Sequence, residues 1–231
     1  MTLKKRSYKK ELLDGDDIPF ADIKRNMHEL DVINTWLGGH AITVKGFTQL
    51  LGYRKYITIC EIGCGGGDNL AAIARWCGKN NIQLHCIGID IKQECITVAE
   101  NNKYLTGKHE WIVSDYRNVK FAAKPDIIFS SLFCHHFTEV ELVQQLLWLY
   151  NNSAVGFFIN DLQRHWLAYH SIKLLTAAFS KSYLVKNDAP LSVARGFTRQ
   201  DWDVMFKQAA IPSCHISWQW AFRHLIVYRH A

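Results

Sequence analysis

The sequence ITICEIGCGGGDNL, residues 57–70, decides the fold of this chain. A β-branched apolar run ends in Glu61, and glycines follow at positions 63, 65 and 67 before a helical pattern begins. A strand that turns this sharply into a helix needs residues without a Cβ atom, because positive φ angles and close backbone approach exclude other residues. The pattern therefore predicts a loop that holds a polar small molecule against the first N–H groups of a helix.

Two more apolar runs end in a carboxylate. Residues 86–90 end at Asp90, and residues 111–115 end at Asp115. In an open α/β sheet, ligands bind outside the carboxyl ends of the strands, and Asp90 lies at the distance expected for an acid that binds ribose hydroxyls. The three acidic strand ends predict one shared ligand site. A glycine turn in an ordinary α/β protein is the alternative interpretation.

With these residues the chain resembles the S-adenosylmethionine-dependent methyltransferases of the Rossmann-like class, over about residues 56–162. The glycine loop resembles the first motif of that family, Asp90 its ribose-binding acid and Asp115 its adenine-contacting acid. The resemblance implies S-adenosylmethionine as cofactor and S-adenosylhomocysteine as product. A dinucleotide would instead place its pyrophosphate at the helix N-terminus, where Asp68 would repel it. The implied cofactor-binding residues are Glu61, Gly63, Cys64, Gly65, Gly67, Asn69, Asp90, Ile91, Ser114, Asp115, Tyr116, Ser130 and Ser131.

Composition indicates an ordinary globular protein. The 231 residues are 48% apolar and 21% charged, and part of the net charge of +6 comes from a basic run at residues 4–10. No apolar stretch reaches membrane-spanning length. Seven cysteines without a Cys-x-x-Cys pair predict reduced thiols in a cytoplasmic protein. No metal site is expected, because the adjacent side chains of Cys134, His135 and His136 would not readily converge on one ion.

Strand and helix patterns alternate through the middle of the chain. We predict strands near residues 56–62, 84–90, 110–113, 126–131 and 154–160, with helices near 68–77, 92–103 and 139–150. This order predicts a parallel sheet with right-handed crossovers. Two terminal strand patterns with a short link must pair antiparallel, which resembles the family's last strand. The predicted fold is therefore α/β and Rossmann-like, with seven mostly parallel strands, helices on both faces and the last strand antiparallel.

The segments outside this core are predicted as helices and loops. Residues 1–52 form an N-terminal helical extension, with helices near 20–37 and 43–51, that closes over the cofactor or packs on the sheet edge; residues 53–231 form the methyltransferase domain. Residues 164–180 form a helix that is apolar on most sides and must be buried or cover something apolar. An irregular stretch follows at 185–196 with Pro190 as a breaker, and Thr198 begins another helix as its N-cap.

The loop after the fourth strand carries the candidate catalytic residues His135 and His136. An imidazole is the side chain whose unperturbed pKa lies nearest neutrality, so either could act as the base, or could instead cap a helix or bind a loop carbonyl. The His-His pair resembles the small-molecule branch of the family, including ubiquinone and menaquinone methyltransferases. The Asn/Asp-Pro-Pro-Tyr/Phe motif of the amino-methylating DNA and protein-glutamine enzymes is absent, which disfavours exocyclic amines. The predicted substrate-binding residues are Trp36, His40, Asp161, Arg164 and His165.

These features predict methyl transfer to oxygen or carbon of a small aromatic or lipid-like metabolite, such as a phenol, a quinone precursor or a polyketide. The alternatives are a non-catalytic cofactor-binding scaffold, an RNA-modifying methyltransferase that uses the basic run at residues 4–10, and a nicotinamide dehydrogenase. No RNA-binding module or basic-aromatic stripe supports the RNA alternative. A monomer or homodimer without nucleic-acid partners is expected.

Overall fold

The computed structural model describes residues 3–15, 17–105, 107–211 and 214–231. Within these ranges the chain forms eight α-helices and seven β-strands. The helices are α1 (Phe20–Trp36), α2 (Gly39–Leu51), α3 (Asp68–Lys79), α4 (Gln93–Glu100), α5 (Glu139–Asn152), α6 (Trp166–Phe179), α7 (Tyr183–Arg195) and α8 (Arg199–Gln208). The strands are β1 (Tyr56–Ile62), β2 (Gln83–Asp90), β3 (Lys108–Val113), β4 (Ile127–Ser131), β5 (Gly156–Leu162), β6 (His215–Gln219) and β7 (Arg223–Arg229).

All seven strands join one sheet in the order β3-β2-β1-β4-β5-β7-β6. The first five are parallel, whereas β7 pairs antiparallel with both β5 and β6. The strand order reverses between β1 and β4, so a crevice opens at their carboxyl ends. The predicted fold is confirmed, including the antiparallel ending.

Alternating side chains of the strands divide the core between the two faces of the sheet. Phe157 and Ile159 point into a cluster that α5 and α8 complete, with Trp202 fully buried. Phe158 points the other way, into a cluster that includes Phe47 of α2 and residues of α3 and α4. Helix α2 is thus part of the core, and the predicted boundary at residue 52 stays a prediction.

The interpretation of residues 185–196 as irregular is wrong. They belong to α7, which carries Pro190 inside it. Proline in a helix interior costs about 3 kcal/mol, since it removes a hydrogen bond. Burial of Leu184, Val185 and Val193 offsets this cost, and the carboxylate of Asp188 accepts hydrogen bonds from two backbone N–H groups of the N-terminal segment. These contacts are tertiary, so local sequence rules do not reveal them.

Two other helices differ from prediction in detail. Helix α2 begins at Gly39, earlier than predicted, and Gly38 precedes it with a left-handed φ of 75°. Helix α6 buries only Ala168 and Thr176, and it leaves Trp166 and Phe179 exposed. Thr198 caps α8 as predicted, in a capping box with Asp201. In the described part of the chain, every helix is too short or too polar to span a bilayer.

Candidate functional site

The glycine loop between β1 and α3 forms the floor of the site. Gly63 has a φ of +66°, and a Cβ atom built there would lie 2.1 Å from Cδ2 of Phe133. Gly67 has a φ of +73°, and its Cβ atom would lie 2.7 Å from the indole of Trp111. Both positions therefore require glycine for conformation and for space. The loop is held as a thin layer of backbone, which a ligand can approach closely.

Glu61 lies beneath this loop, fully buried at the end of β1. Its Oε1 accepts a hydrogen bond from Nδ2 of Asn69 at 2.9 Å, and Oε2 has no partner among the described residues. Burial raises the pKa of this carboxyl well above its usual range. An unpaired buried oxygen is costly unless a donor reaches it. The assignment of Glu61 to the cofactor stays a prediction.

Asp90, at the end of β2, fixes the opposite side of the loop. Its two carboxylate oxygens accept hydrogen bonds from the backbone N–H groups of Gly65 and Lys92, each at 2.9 Å. Burial raises the pKa of Asp90, and these hydrogen bonds oppose the shift. Each oxygen retains a lone pair for a ribose hydroxyl.

Asp115 follows β3 and pairs with Arg117, whose Nη2 lies 2.5 Å from Oδ2. Hydrogen bonds from Arg117 hold the pKa of Asp115 below its usual range.

A cavity of about 700 Å³ joins these residues. It runs from the glycine loop past Asp90 and Asp115 to the loop after β4, and α1, α6 and the β6–β7 turn enclose the rest. The predicted site residues that line it are Gly63, Cys64, Gly65, Asn69, Asp90, Ile91, Ser114, Asp115, Tyr116, Ser131, His135 and His136. Helix α6 contributes Ala168, Ile172 and Leu175 to its wall, so the apolar helix does cover an apolar space.

His135 is buried in a network of charged groups. Its Nδ1 lies 2.8 Å from Oδ1 of Asp161, and its Nε2 lies 3.5 Å from Oε1 of Glu11. Burial alone would lower the pKa of His135, but the two carboxylates raise it to about 9. The imidazole is therefore protonated at neutral pH with both nitrogens engaged. A base needs a free lone pair, which this side chain does not offer.

His136 has a different environment, because it borders the cavity and is partly exposed. Its Nδ1 lies 3.1 Å from Oδ1 of Asp14, and its Nε2 lies 3.8 Å from Oε2 of Glu11. A hydrogen bond from Nδ1–H to a carboxylate fixes the tautomer and leaves the lone pair on Nε2. The arrangement suits a general base that Asp14 orients.

Glu11 and Asp14 reach this network from the N-terminal segment, which we define as residues 3–15. Arg195 of α7 fastens the segment, since its guanidinium donates to the carbonyls of Lys9 and His135 at 2.8 and 2.9 Å. Arg6 also donates to the His135 carbonyl, at 3.0 Å.

Sequence reasoning missed this role of the segment. The ELLD spacing of residues 11–14 carries no signal of where the segment lies.

Glu11, His135 and His136 each present one ligand atom, and these atoms lie within 4.8 Å of one another. The two imidazoles therefore do converge, contrary to the expectation from their adjacency. The charges nevertheless balance without a cation. The carboxylates of Glu11, Asp14 and Asp161 face the guanidinium of Arg195 and the imidazolium of His135, and the charge of Arg6 also acts on Asp161. The absence of a metal stays a prediction.

The remaining predicted residues lie outside the cavity wall, as follows. Four of them lie beneath the wall, namely Glu61, Gly67, Ser130 and Asp161. Trp36 is 82% exposed, and His40 contacts both Asp31 and Asn69. Arg164 forms an ion pair with Asp201, and His165 caps α6. The substrate roles of Trp36, His40, Asp161, Arg164 and His165 stay predictions. The nearby residues that do line the cavity include Leu162, Phe222 and Arg223, which sequence reasoning did not single out.

Residues 59–152 match the family model described as a methyltransferase domain. Among curated proteins, no sequence matches this chain. Solved structures share its fold. The plantazolicin methyltransferase BpumL in complex with SAH has a TM-score of 0.67 and 17% sequence identity, covering 90% of each chain.

Two further structures have similar folds. Magnesium protoporphyrin IX methyltransferase from Synechocystis PCC 6803, with bound SAH, has a TM-score of 0.51 and 13% identity over 94% of this chain and 90% of that one. Human N-acetylserotonin methyltransferase in complex with SAM has a TM-score of 0.62 and 10% identity over 91% of this chain and 56% of that one.

Proposed function

We propose that the chain is an S-adenosylmethionine-dependent methyltransferase that transfers the methyl group to oxygen or carbon of a small aromatic or lipid-like metabolite; the match of residues 59–152 to a methyltransferase domain and the Rossmann-like sheet support this proposal. A single observation carries this proposal. One cavity joins the glycine loop and Asp90 to His136 and to the apolar wall of α6. Donor and acceptor can therefore meet in one enclosed space, which is the main requirement for displacement at an activated methyl group.

The donor lies across the carboxyl ends of β1 to β3 in this proposal. Asp90 binds the ribose hydroxyls and Asp115 contacts the adenine, and both line the cavity. Glu61 lies beneath the glycine loop, where its Oε1 holds Asn69, a residue that does line the cavity. Each oxygen of Asp90 retains a lone pair for this role, whereas the oxygens of Asp115 already accept from Arg117 and must share a lone pair with the adenine. The sulfonium supplies the activated methyl group, so the protein mainly aligns the acceptor and excludes water.

His136 acts as the general base when the acceptor is a hydroxyl group. Its Nε2 accepts the proton, and the carboxylate of Asp14 stabilises the imidazolium that forms. His135 acts differently from the prediction: as a buried cation it holds Asp161 and Glu11 in place. A phenol or quinone precursor fits the combination of one base and an apolar wall.

The first test is calorimetric titration of the purified protein with S-adenosylmethionine and S-adenosylhomocysteine, with NAD as control. Micromolar binding of the first two alone supports the proposal and justifies a screen of phenolic and quinone acceptors. Binding of S-adenosylhomocysteine without turnover of any acceptor would favour a scaffold protein. Salt-dependent binding of RNA would favour an RNA-modifying enzyme.

The cellular setting is part of the proposal. All seven cysteines are free thiols, and six of them are buried. Free thiols are typical of reducing compartments. This supports the proposal of a cytoplasmic location; a role in secondary metabolism and a monomeric or homodimeric state stay predictions.

A further inference from the structure

Arg223 is a buried cation at the start of β7. The residue is 2% exposed, borders the cavity and pairs through its backbone with Leu162 at the end of β5. Its Nη2 donates to Oδ1 of Asn34 at 2.8 Å. Among the described residues, its Nε and Nη1 have no hydrogen-bond partner and no carboxylate forms an ion pair with it.

The other buried arginines are paired. Arg164 contacts the carboxylate of Asp201 at 3.1 Å and donates to the carbonyl of Gly196 at 2.7 Å. Arg195 lies 3.4 Å from Oδ2 of Asp14 and donates to two carbonyls. Removal of a guanidinium from water without a counter-charge is costly, so buried arginines are normally compensated. Arg223 departs from this pattern within the same chain.

The N-terminus of α2 lies against the same guanidinium. A Cβ atom built on Gly39, the first residue of α2, would lie 3.1 Å from both Nη1 and Nη2 of Arg223. In the part of the chain that the structure describes, no side chain caps this helix. The helix N-terminus carries a positive partial charge and unpaired N–H groups. Two positive groups thus lie in contact beside the cavity, and an anion that approaches Arg223 from the cavity would compensate both.

We propose that Arg223 binds a carboxylate group of a ligand in the cavity. This inference rests on the proposed function, which supplies two sources of that chemistry. One is the amino-acid carboxylate of the methyl donor, and the other is a carboxylate on the aromatic acceptor. Asn34 accepts only one of the five N–H groups of this guanidinium, so Nε, Nη1 and the second N–H of Nη2 remain as donors from which a carboxylate can accept.

The test compares Arg223→Met with the wild type by calorimetry, using two pairs of probes. S-adenosylhomocysteine carries the donor carboxylate, and 5′-methylthioadenosine is the nucleoside thioether without it. Benzoate carries an aromatic carboxylate, and benzamide is its uncharged analogue. We expect the variant to weaken one carboxylate probe by roughly 30- to 150-fold, the size of a charge-assisted interaction, and to bind its uncharged partner as well as the wild type does.

The pattern of losses identifies the source of the carboxylate. Weaker S-adenosylhomocysteine with unchanged 5′-methylthioadenosine assigns Arg223 to the donor, whereas weaker benzoate with unchanged benzamide assigns it to the acceptor. If all four probes bind the variant within twofold of the wild type, the inference is overturned. A wild type that binds neither nucleoside contradicts the methyltransferase proposal, and the benzoate pair then decides on Arg223 alone. A wild type that binds neither carboxylate probe overturns both.

A stability measurement separates a binding role from a structural one. Arg223→Met removes a cation that feels the charge of Asp161 but forms no ion pair among the described residues, so the melting temperature of the ligand-free protein should equal or exceed that of the wild type. Arg164→Met is the matched control, since it removes a buried guanidinium from its carboxylate and should lower the melting temperature. If Arg223→Met lowers the melting temperature as much as the control does, Arg223 has a structural role and the inference is overturned.

Discussion

The pH dependence of stability tests the assignment of His135 as a buried imidazolium. The carboxylates of Asp161 and Glu11 raise its pKa to about 9 against the opposing effect of burial, whereas an unfolded histidine titrates near pH 6.5. A histidine whose pKa is higher in the folded state than in the unfolded state stabilises the fold. This stabilisation is complete when the pH is below the unfolded-state pKa, and it is lost as the pH rises through 9. A difference of about 2.5 pKa units between the folded and the unfolded state corresponds to roughly 3 kcal/mol in the free energy of unfolding.

The perturbation is His135→Asn, which retains a polar side chain and removes the titration. Urea unfolding followed by tryptophan fluorescence at pH 6.5, 8 and 9.5 gives the free energy of unfolding of both proteins. We expect the wild type to lose about 3 kcal/mol relative to the variant between pH 6.5 and 9.5, because groups common to both proteins cancel. If the difference between the proteins stays constant over that range, His135 is not a buried imidazolium, and its exclusion as the base fails. Should the variant not fold, NMR titration of the His135 ring in the wild type measures the same pKa.

Three other substitutions test the site. Asp90→Ala removes the acceptor of two loop N–H groups and should weaken S-adenosylhomocysteine binding by about 2–3 kcal/mol, measured by calorimetry. An unchanged affinity would show that Asp90 does not bind the cofactor. His136→Ala should slow methyl transfer by roughly 10²- to 10⁴-fold without changing cofactor affinity, and an unchanged rate would place the base elsewhere. Gly63→Ala should lower the free energy of unfolding by about 2–4 kcal/mol, because its φ is positive and Phe133 occupies the space. Gly78→Ala in α3, with nothing within 4 Å, should raise it by up to about 1 kcal/mol, so equal effects of the two glycine substitutions would contradict the argument.

The sheet was predictable because its signals are local. The predicted bounds of β1 agree with the structure at both ends, since a β-branched run ends in the glycine loop. Thr198 was recognisable as an N-cap because its partner Asp201 lies three residues away. The antiparallel pairing of β6 and β7 followed from their short link.

The acceptor half of the site was less predictable, because its contacts join distant parts of the chain. His135 and His136 stood out by residue type. Only the fold shows that Asp161 and Glu11 lie beside His135 and favour its protonated form, and that Asp14 contacts Nδ1 of His136. Arg223 carried no signal, since an arginine in a strand pattern is usually exposed.

The attachment of the N-terminal segment has a consequence for the order in which the protein acquires activity. Glu11 accepts a hydrogen bond from Ser192, and Arg6 donates one to the carbonyl of His135. The carboxylate of Asp188 accepts hydrogen bonds from the backbone N–H groups of Leu12 and Leu13. These contacts span more than a hundred residues, so the N-terminal segment can bind only after residues 135–192 have also been synthesised. In the proposed site, the residues that bind the methyl donor lie within 61–115. Asp14 can orient His136 only when the N-terminal segment packs against the rest of the folded chain. In the proposed enzyme, a nascent or partly folded molecule therefore completes the glycine loop before Asp14 reaches His136, so methyl transfer should begin only when folding is complete.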